Sequence, residues 1–362
     1  MANTIGEIVK VTVFGESHGP YIGVTLDGLC AGIKIDEKKI NEALELRRPF
    51  GSISTGRVEK DKYEIISGYF NGYTTGSPLT VIIPNENTIS KDYSEFKIKP
   101  RPSHADYVAE VKYEGYEDYR GGGHFSGRVT TGLVIAGSIA RQILEAKGIY
   151  IGSHLKQVND FKDDELKNTV AEVKKLNRSK IALVNSKGEK ELIELIEEAK
   201  NSLDSLGGVI ETEILGMPVG IGEPMFDSLE GNLARLIFAV PAVKGVEFGL
   251  GFEFADKKGS EVNDEFIIKD GKVETSTNNN GGINGGISNG MPIIIRTAIK
   301  PTPSIARKQN TVNLKKIKEE TLEIKGRHDP CIVHRARIVI DSVVALGILD
   351  ALCIANGIKS EK

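Results

Sequence analysis

The sequence has no tryptophan, few cysteines and little net charge. Cys30, Cys331 and Cys353 are its only cysteines, and they lie far apart without forming a Cys-x-x-Cys pair. Neither a disulfide framework nor a zinc ribbon is therefore predicted, and a reducing, cytoplasmic environment is the simplest interpretation. The formal net charge of −3 excludes the strong basic excess of proteins that coat nucleic acid.

Signals for export and membrane insertion are also missing. The N-terminal residues MANTIGEIVK lack the basic and then apolar pattern of a signal peptide. We find no apolar run that approaches the roughly 20 residues needed to cross a bilayer. We therefore expect a protein with neither a membrane nor a nucleic acid as its partner.

Glycine, by contrast, is abundant. The chain has 40 glycines in 362 residues, about 11 per cent against an average of roughly 7 per cent. They cluster beside His, Arg, Ser and Asp rather than forming a linker, which is typical of backbone held close to a ligand.

Hydrophobic patterning predicts alternating strands and helices. Predicted strands are IVKVTVFG, YIGVTLDGL, 62–68, 78–84, 208–214, 246–254 and PIIIRTAIK. Predicted helices are a segment that Asp36 caps and that ends before Pro49, and residues 128–147, 188–206, 227–237 and 334–355.

The two halves of the chain resemble each other. LDGLCAGIKIDEKKINEAL is similar to LGMPVGIGEPMFDSLEGNLARL, and TTGSPLTVIIP is similar to ISNGMPIIIRTAIKP, in the same order. We interpret this as an internal duplication, with units of about 1–150 and 208–355 that share one core. The alternative is chance similarity between common strand–helix pieces.

Candidate catalytic groups lie in short turns. GESHG at 15–19 presents Ser17 and His18, and histidine is the side chain that titrates near neutrality without help. RPSHAD at 101–106 places Arg101 beside His104, which suits a phosphate leaving group, because arginine holds the oxygens and histidine supplies a proton. Each motif alone is also compatible with an ordinary surface turn.

Two further glycine-rich segments suit an anionic ligand. YRGGGHFSGR at 119–128 offers free N–H groups just before a helix. NNNGGINGGISNG at 278–290 leads into a strand and KPTPS, so an ordered loop against a ligand is favoured over a flexible linker. GRHDPC at 326–331 adds Arg327, His328 and Asp329, of which Asp329 can act as a base. His154 and His334, outside such turns, are interpreted as structural.

Several common site motifs are missing. The sequence has no Walker A loop, no Gly-x-Gly-x-x-Gly fingerprint and no His-Glu-x-x-His pair, and it has no Gly-x-Ser-x-Gly nucleophile elbow. Neither a metal site nor a dinucleotide-binding fold is predicted.

Together, GESHG, RPSHAD, YRGGGHFSGR, SNG…KPTPS and GRHDPC resemble the chorismate synthase family over nearly the whole chain. The resemblance implies one α+β domain of sheets sandwiched with helices and containing an internal repeat, assembled as a homotetramer. It implies conversion of 5-enolpyruvylshikimate 3-phosphate (EPSP) to chorismate and phosphate by a 1,4-anti elimination that requires reduced FMN. NADPH would act only as an indirect reductant, and an external flavin reductase is an expected partner.

The resemblance also implies residue roles. His18 would protonate the reduced flavin, His104 would protonate the departing phosphate, and Asp329 would remove the ring proton through the flavin, with Ser17 and Ser126 assisting. The implied flavin contacts are His124, Phe125, Ser126, Ala242, Gly285, Lys300, Pro301, Thr302, Pro303, Ser304 and Arg327. The implied substrate contacts are Arg47, Arg57, Arg101 and Arg128.

The sequence departs from the family pattern at two places. Residues 124–126 read His-Phe-Ser where many members have Arg or Ala before the serine, and Ile53 replaces an arginine of some members. The alternative functions are a non-catalytic flavin-binding protein and another flavin-dependent enzyme on the same scaffold. The retention of His18, His104 and Asp329 favours the lyase.

Overall fold

The computed structural model describes residues 3–54, 59–86, 95–324 and 329–356. The helices are α1 Glu37–Arg47, α2 Asp106–Lys112, α3 Thr130–Ala146, α4 Val170–Leu176, α5 Glu189–Asn201, α6 Leu229–Phe238, α7 Gly259–Val262 and α8 Val333–Asn356. The strands are β1 Thr4–Ile5, β2 Lys10–Gly15, β3 Tyr21–Asp27, β4 Glu64–Ser67, β5 Tyr69–Phe70, β6 Tyr73–Thr74, β7 Leu79–Pro84, β8 Tyr150–Val158, β9 Phe161–Lys162, β10 Gly208–Leu215, β11 Val243–Phe248, β12 Phe266–Lys269, β13 Lys272–Thr275, β14 Ile283–Asn284, β15 Ile287–Ser288, β16 Ile293–Ile299, β17 Gln309–Asn313 and β18 Lys318–Leu322.

Two five-stranded antiparallel sheets form the outer layers, and helices fill the space between them. The first sheet has the order β1-β2-β3-β7-β4 and the second has the order β11-β16-β10-β8-β9. In β7 and β16 every second residue is buried, as expected for strands with one face on a core. The predicted α+β class and single domain are confirmed.

Helices α3 and α8 pack against each other in the middle of the molecule. Helix α3 also contacts β3, α8 contacts β8, and α1 and α6 complete the layer. The helix axes approach closely because Gly137 has no side chain, and a Cβ there would lie 2.3 Å from the Cβ of Ser342. One continuous hydrophobic core therefore joins both halves of the chain.

The expectation that no apolar run approaches the length of a membrane span is wrong for α8. By length and composition this helix could cross a membrane, with a mean hydropathy of 2.3 over its most apolar window. However, 78% of that window is buried inside the protein. The helix is apolar on all sides because it is surrounded by α1, α3, α6 and the second sheet.

Most predicted elements are confirmed, and some boundaries are wrong. The side chain of Asp36 caps α1 by accepting a hydrogen bond from the N–H of Lys38 at 2.9 Å. The strand predicted over 246–254 instead ends at Phe248, because Gly249 takes a φ of +56° and turns the chain. The segment 278–290 is ordered and contains the β14–β15 hairpin.

Candidate active site

The GESHG turn joins β2 to β3 and buries its serine and histidine. Ser17 is 0% exposed and His18 is 8% exposed. The N–H of Gly19 donates to the carbonyl oxygen of Glu16 at 3.1 Å, which closes the turn, and the N–H of Ser17 donates to Gly123 at 3.1 Å. The turn therefore docks directly on the triple-glycine segment.

Two neighbouring glycines of the triple-glycine segment each lie against one of the two predicted catalytic histidines. Gly121, Gly122 and Gly123 have φ values of +61°, +81° and +53°, which glycine adopts without steric cost. A Cβ on Gly121 would lie 2.2 Å from Nδ1 of His18, and a Cβ on Gly122 would lie 3.6 Å from Nε2 of His104. His18 and His104 thus meet on one turn although 86 residues separate them in the chain.

A carboxylate that the sequence analysis missed orients His104. Asp106 Oδ1 lies 2.6 Å from Nδ1 of His104, and Arg101 donates to the same carboxylate through Nε and Nη2, each at 2.8 Å. Burial favours the neutral acid, but the hydrogen bonds from Arg101 and His104 outweigh it and hold the pKa of Asp106 well below its usual value. With Nδ1 facing Asp106, Nε2 is the ring nitrogen nearer to Gly122.

Arg101 joins the RPSHAD and KPTPS segments. Its Nη1 donates to Oγ of Ser304 at 3.1 Å, and Nζ of Lys300 donates to the carbonyl oxygen of Ser103 at 2.5 Å. The N–H of Lys300 in turn donates to the carbonyl oxygen of Ala242 at 2.9 Å. Arg101 is 7% exposed, so it supports the loop from within.

The start of α3 gathers two buried arginines. Nη2 of Arg47 donates to the carbonyl oxygen of Gly127 at 2.6 Å, and Nε of Arg47 donates to Oγ1 of Thr130 at 3.1 Å. Burial lowers the pKa of Arg47 to about 9, although nearby Asp61 acts in the opposite direction. Asp61 also pairs with Arg128 in a buried contact. The N–H of Arg128 donates to Oγ of Ser126 at 3.3 Å.

Asp329 lies near this arginine pair. Arg335, on the first turn of α8, contacts Asp329 Oδ2 through Nη1 at 2.6 Å and donates through Nε to the carbonyl oxygen of Arg47 at 2.9 Å. The predicted contacts Arg57 and Arg327, and the unassigned His328, lie outside the described residues.

Other predicted flavin contacts are more dispersed. His124 contacts the carbonyl oxygen of Gly15 through Nδ1 at 2.9 Å and Oδ1 of Asn3 through Nε2 at 3.1 Å. Gly285 is exposed in the β14–β15 turn. The following residue, Gly286, accepts a hydrogen bond from the N–H of Leu229 at 2.9 Å, so this turn lies against the start of α6.

A cavity of about 690 Å³ opens beside the triple-glycine turn. His104, His124 and Phe125 line it, together with Glu16, Tyr113 and Tyr119. Among the described residues, Arg47, Arg128 and Asp329 do not line this cavity. The predicted proton donor at the phosphate, His104, therefore borders the cavity, whereas His18 and the predicted anion-binding residues Arg47, Arg101 and Arg128 do not line it.

The two histidines that were interpreted as structural are buried. His154 contacts Asp163 at 2.7 Å and Glu211 at 3.1 Å. His334 contacts Oγ of Ser54 at 2.8 Å.

The supporting residues Asp61, Asn85 and Arg335 were not predicted. Asp61 and Asn85 contact residues that are distant in sequence, whereas Asp106 is the last residue of the RPSHAD motif itself.

Comparison with known proteins places this geometry in a family. The chorismate synthase family model matches residues 9–353. The chain is 46% identical over 347 residues to the chorismate synthase of Pyrococcus abyssi (strain GE5 / Orsay), which covers 96% of each chain. It is 48% identical over 352 residues to that of Methanobrevibacter smithii, which covers 97% of this chain and 96% of the relative.

A solved structure agrees with the fold as well. It is described as a crystal structure of chorismate synthase, and it superposes with a TM-score of 0.75 at 29% identity. The match covers 98% of this chain and 94% of the other.

Proposed function

The chain belongs to the chorismate synthase family of lyases, and from this premise we propose that it converts EPSP to chorismate and phosphate. The proposed reaction is a 1,4-anti elimination in the shikimate pathway to aromatic amino acids. The C–O bond to phosphate breaks, a ring C–H bond loses its proton, and a new C=C bond forms, so the reaction has no net redox change.

The observation that carries the proposal is the meeting of His18 and His104 on one glycine turn. Two histidines on adjacent glycines can serve two different proton transfers within one site. His104 has Nδ1 against Asp106, so its Nε2 is the nitrogen we assign to the phosphate oxygen that leaves. Protonation by a positioned histidine of this kind contributes typically 10²–10⁴-fold to rate, on the order of 3–5 kcal/mol.

The anionic groups of EPSP require cationic partners, and three of the predicted arginines are buried near the start of α3 or in the RPSHAD loop. Arg101 and Arg128 already donate to internal carboxylates. Nη1 of Arg47 has a looser contact, at 3.8 Å from Asp61. We therefore assign Arg47 as the first anion contact among these three, with Arg101 and Arg128 fixing the walls of the site.

The residues present fit FMN. Within the described part of the chain, Ser17 Oγ is buried beside the triple-glycine turn without a hydrogen-bond partner, which leaves a polar group there for a ligand to satisfy. When bound, reduced FMN would lend electron density transiently to the substrate. Residues 124–126, Ala242, Gly285 and the KPTPS segment at 300–304 would hold it, with Arg327.

Asp329 is the carboxylate that we assign to the ring proton. Its ion pair with Arg335 fixes its position beside the backbone of Arg47. His18 and Ser17, buried on the glycine turn, would hold the proton on the flavin side of the site, with Ser126 at the start of α3 supporting the same face.

The proposal extends to the cellular location, the oligomeric state and the partner of the enzyme. We propose a cytoplasmic homotetramer that depends on an external flavin reductase, with NADPH acting only through that partner. Sedimentation of the purified protein tests the tetramer. Anaerobic incubation with FMN and NADPH tests the reductase, because bleaching of the flavin without a second protein would contradict the proposed dependence.

The central experiment is anaerobic incubation of the purified protein with EPSP and chemically reduced FMN. We expect chorismate and inorganic phosphate to form in equal amounts, and to form only when the reduced flavin is supplied. If neither product forms, the proposed reaction is wrong. Omission of EPSP is the control for phosphate released from other sources.

A further inference from the structure

We propose that Asn85 is a positioning residue that holds the His18 turn in register with Arg128. Asn85 follows the last residue of β7, Pro84, and no motif in the sequence pointed to it. Its side chain bridges two parts of the site that come from opposite ends of the first unit. The proposal rests on the function proposed above and adds a residue to it.

The side-chain amide of Asn85 makes three hydrogen bonds. Nδ2 donates to the carbonyl oxygen of Glu16 at 3.0 Å and to that of Gly19 at 2.8 Å. Oδ1 accepts from Nε of Arg128 at 3.0 Å. The backbone N–H of Asn85 adds a fourth bond, to the carbonyl oxygen of Pro20 at 3.2 Å.

These partners dictate both the orientation and the residue type. Guanidinium groups only donate and carbonyl oxygens only accept, so the amide cannot be flipped without losing all three bonds. Aspartate would keep the acceptor for Arg128 but would place carboxylate oxygen against two carbonyl oxygens. Leucine of similar size would lose every side-chain bond, and glutamine would move the amide outward by one methylene.

The side chain of Asn85 is important because it connects the turn that contains His18 with Arg128. Glu16 and Gly19 flank Ser17 and His18, so the amide spans the turn that presents the buried histidine. Arg128 is fixed on its other side by Asp61 and lies next to the start of α3. A group that ties both ends sets the distance between the histidine and the arginine, and a displacement of about 1 Å at such a site can cost on the order of 10²-fold in rate.

The test is a comparison of Asn85→Asp with Asn85→Leu. Asn85→Asp removes the bonds to the turn and retains the contact with Arg128, so we expect kcat to fall on the order of 10-fold while KM for EPSP stays within about twofold. Asn85→Leu also releases Arg128, so we expect KM to rise as well. Asn71→Asp makes the same chemical change in the exposed β5–β6 turn and is the matched control.

A double-mutant cycle separates positioning from a general loss of structure. If Asn85 acts through His18, Asn85→Asp should lose less than about twofold in a His18→Ala background, because the group that it positions is already gone. Equal losses in both backgrounds, or a kcat of the single variant like that of the wild type, would overturn the proposal. Thermal unfolding followed by circular dichroism verifies that each variant folds.

An NMR measurement separates this inference from the proposed function. The imidazole signals of His18, assigned from their disappearance in His18→Ala, should move in Asn85→Asp and stay in place in Asn71→Asp. The signals of the distant, buried His154 should stay in place in both. Unmoved His18 signals overturn the Asn85 proposal even if the enzyme is active, whereas a wild type that makes no chorismate overturns only the function.

Discussion

At the scale of single residues, the geometry of the site depends on side chains that hold the predicted catalytic side chains in position. His104 shares a carboxylate with Arg101, and neither interaction is visible in the spacing of a motif. The sequence identified both histidines because each lies in a glycine- or proline-bounded turn. It missed Asp61 because a carboxylate in a polar loop is indistinguishable from a solvated one until its buried partners are known.

His104→Ala tests the assigned proton donor. With chemically reduced FMN, we expect turnover to fall about 10²-fold or more, the range for lost general acid catalysis, while FMN binding measured by fluorescence remains. The side chain is partly exposed, so the protein should still fold. A turnover equal to that of the wild type would reject the role, and Asn71→Asp serves again as the unaffected control.

Glu213 on β10 provides a test of buried charge away from the site. It is 0% exposed, and within the described residues neither carboxylate oxygen has a hydrogen-bond partner. Burial, together with the nearby Glu172 and Glu211, raises its pKa from 4.5 to about 8. The folded state therefore holds a proton that the unfolded chain releases at lower pH, so this group lowers the free energy of unfolding as pH rises from about 4.5 to 8.

Glu213→Gln should remove that pH dependence. We expect urea unfolding to show that the free energy of unfolding of the variant rises relative to that of the wild type between pH 5 and 8. This is the interval between the pKa of Glu213 in the unfolded chain, about 4.5, and its pKa in the folded protein, about 8. Glu211→Gln is the matched control, and its effect on stability should depend on pH in the opposite direction. Although burial raises the pKa of Glu211, the hydrogen bond from His154 lowers it, so the stability that it contributes at neutral pH is lost as pH falls. A pH-independent difference for Glu213→Gln would contradict this account.

At the scale of secondary-structure elements, the sequence predicts those with a regular apolar period or a long apolar run, and it misses strand β8 and helix α2, which have neither. Helix α5 and strand β7 have a regular apolar period and were found. Strand β8 was missed because both of its faces are covered, yet it carries Ser153 and His154, which are 0% exposed and lower its apparent hydrophobicity. Helix α2 was missed because its apolar residues Val108 and Val111 are exposed and follow no core period.

The turn before α3 gives an element-scale prediction. Gly121→Ala and Gly122→Ala both place alanine at positive φ, which costs roughly 1–2 kcal/mol each, so thermal melts should show destabilisation of both variants, and more of it for Gly121→Ala because of its steric clash. Only the new Cβ at 121 would press on the ring of His18; at 122 the contact with His104 is of ordinary length. We expect turnover to fall on the order of 10²-fold for Gly121→Ala and far less for Gly122→Ala. Equal losses would mean that the glycines serve only the backbone.

At the scale of the whole molecule, the two large sheets have corresponding strand orders. β2-β3-β7-β4 in the first sheet matches β8-β10-β16-β11 in the second, with α1 and α6, and α3 and α8, at equivalent places along the chain. We propose on this basis that the chain is an internal duplication whose second unit begins at β8, near residue 150. Sequence similarity alone suggested a start near 208, because β8 has little resemblance to β2.

A carboxylate on helix α8 joins the N-terminal segment of the chain to its C-terminal helix. The contribution of this contact to stability can be measured. Asp350 near the end of α8 accepts hydrogen bonds from the N–H groups of Glu7, Ile8 and Val9 at 2.8–2.9 Å. These residues lead into β2, so Asp350 fixes the first sheet to the last helix. Asp350→Asn retains one acceptor and places an NH₂ group against the other N–H groups, which should destabilise the fold by roughly 1–3 kcal/mol. Urea unfolding measures this loss against the exposed control Asp256→Asn. Equal stability of the two variants would mean that the N-terminal segment is held by the pairing of β1 with β2 and by core packing, without the help of Asp350.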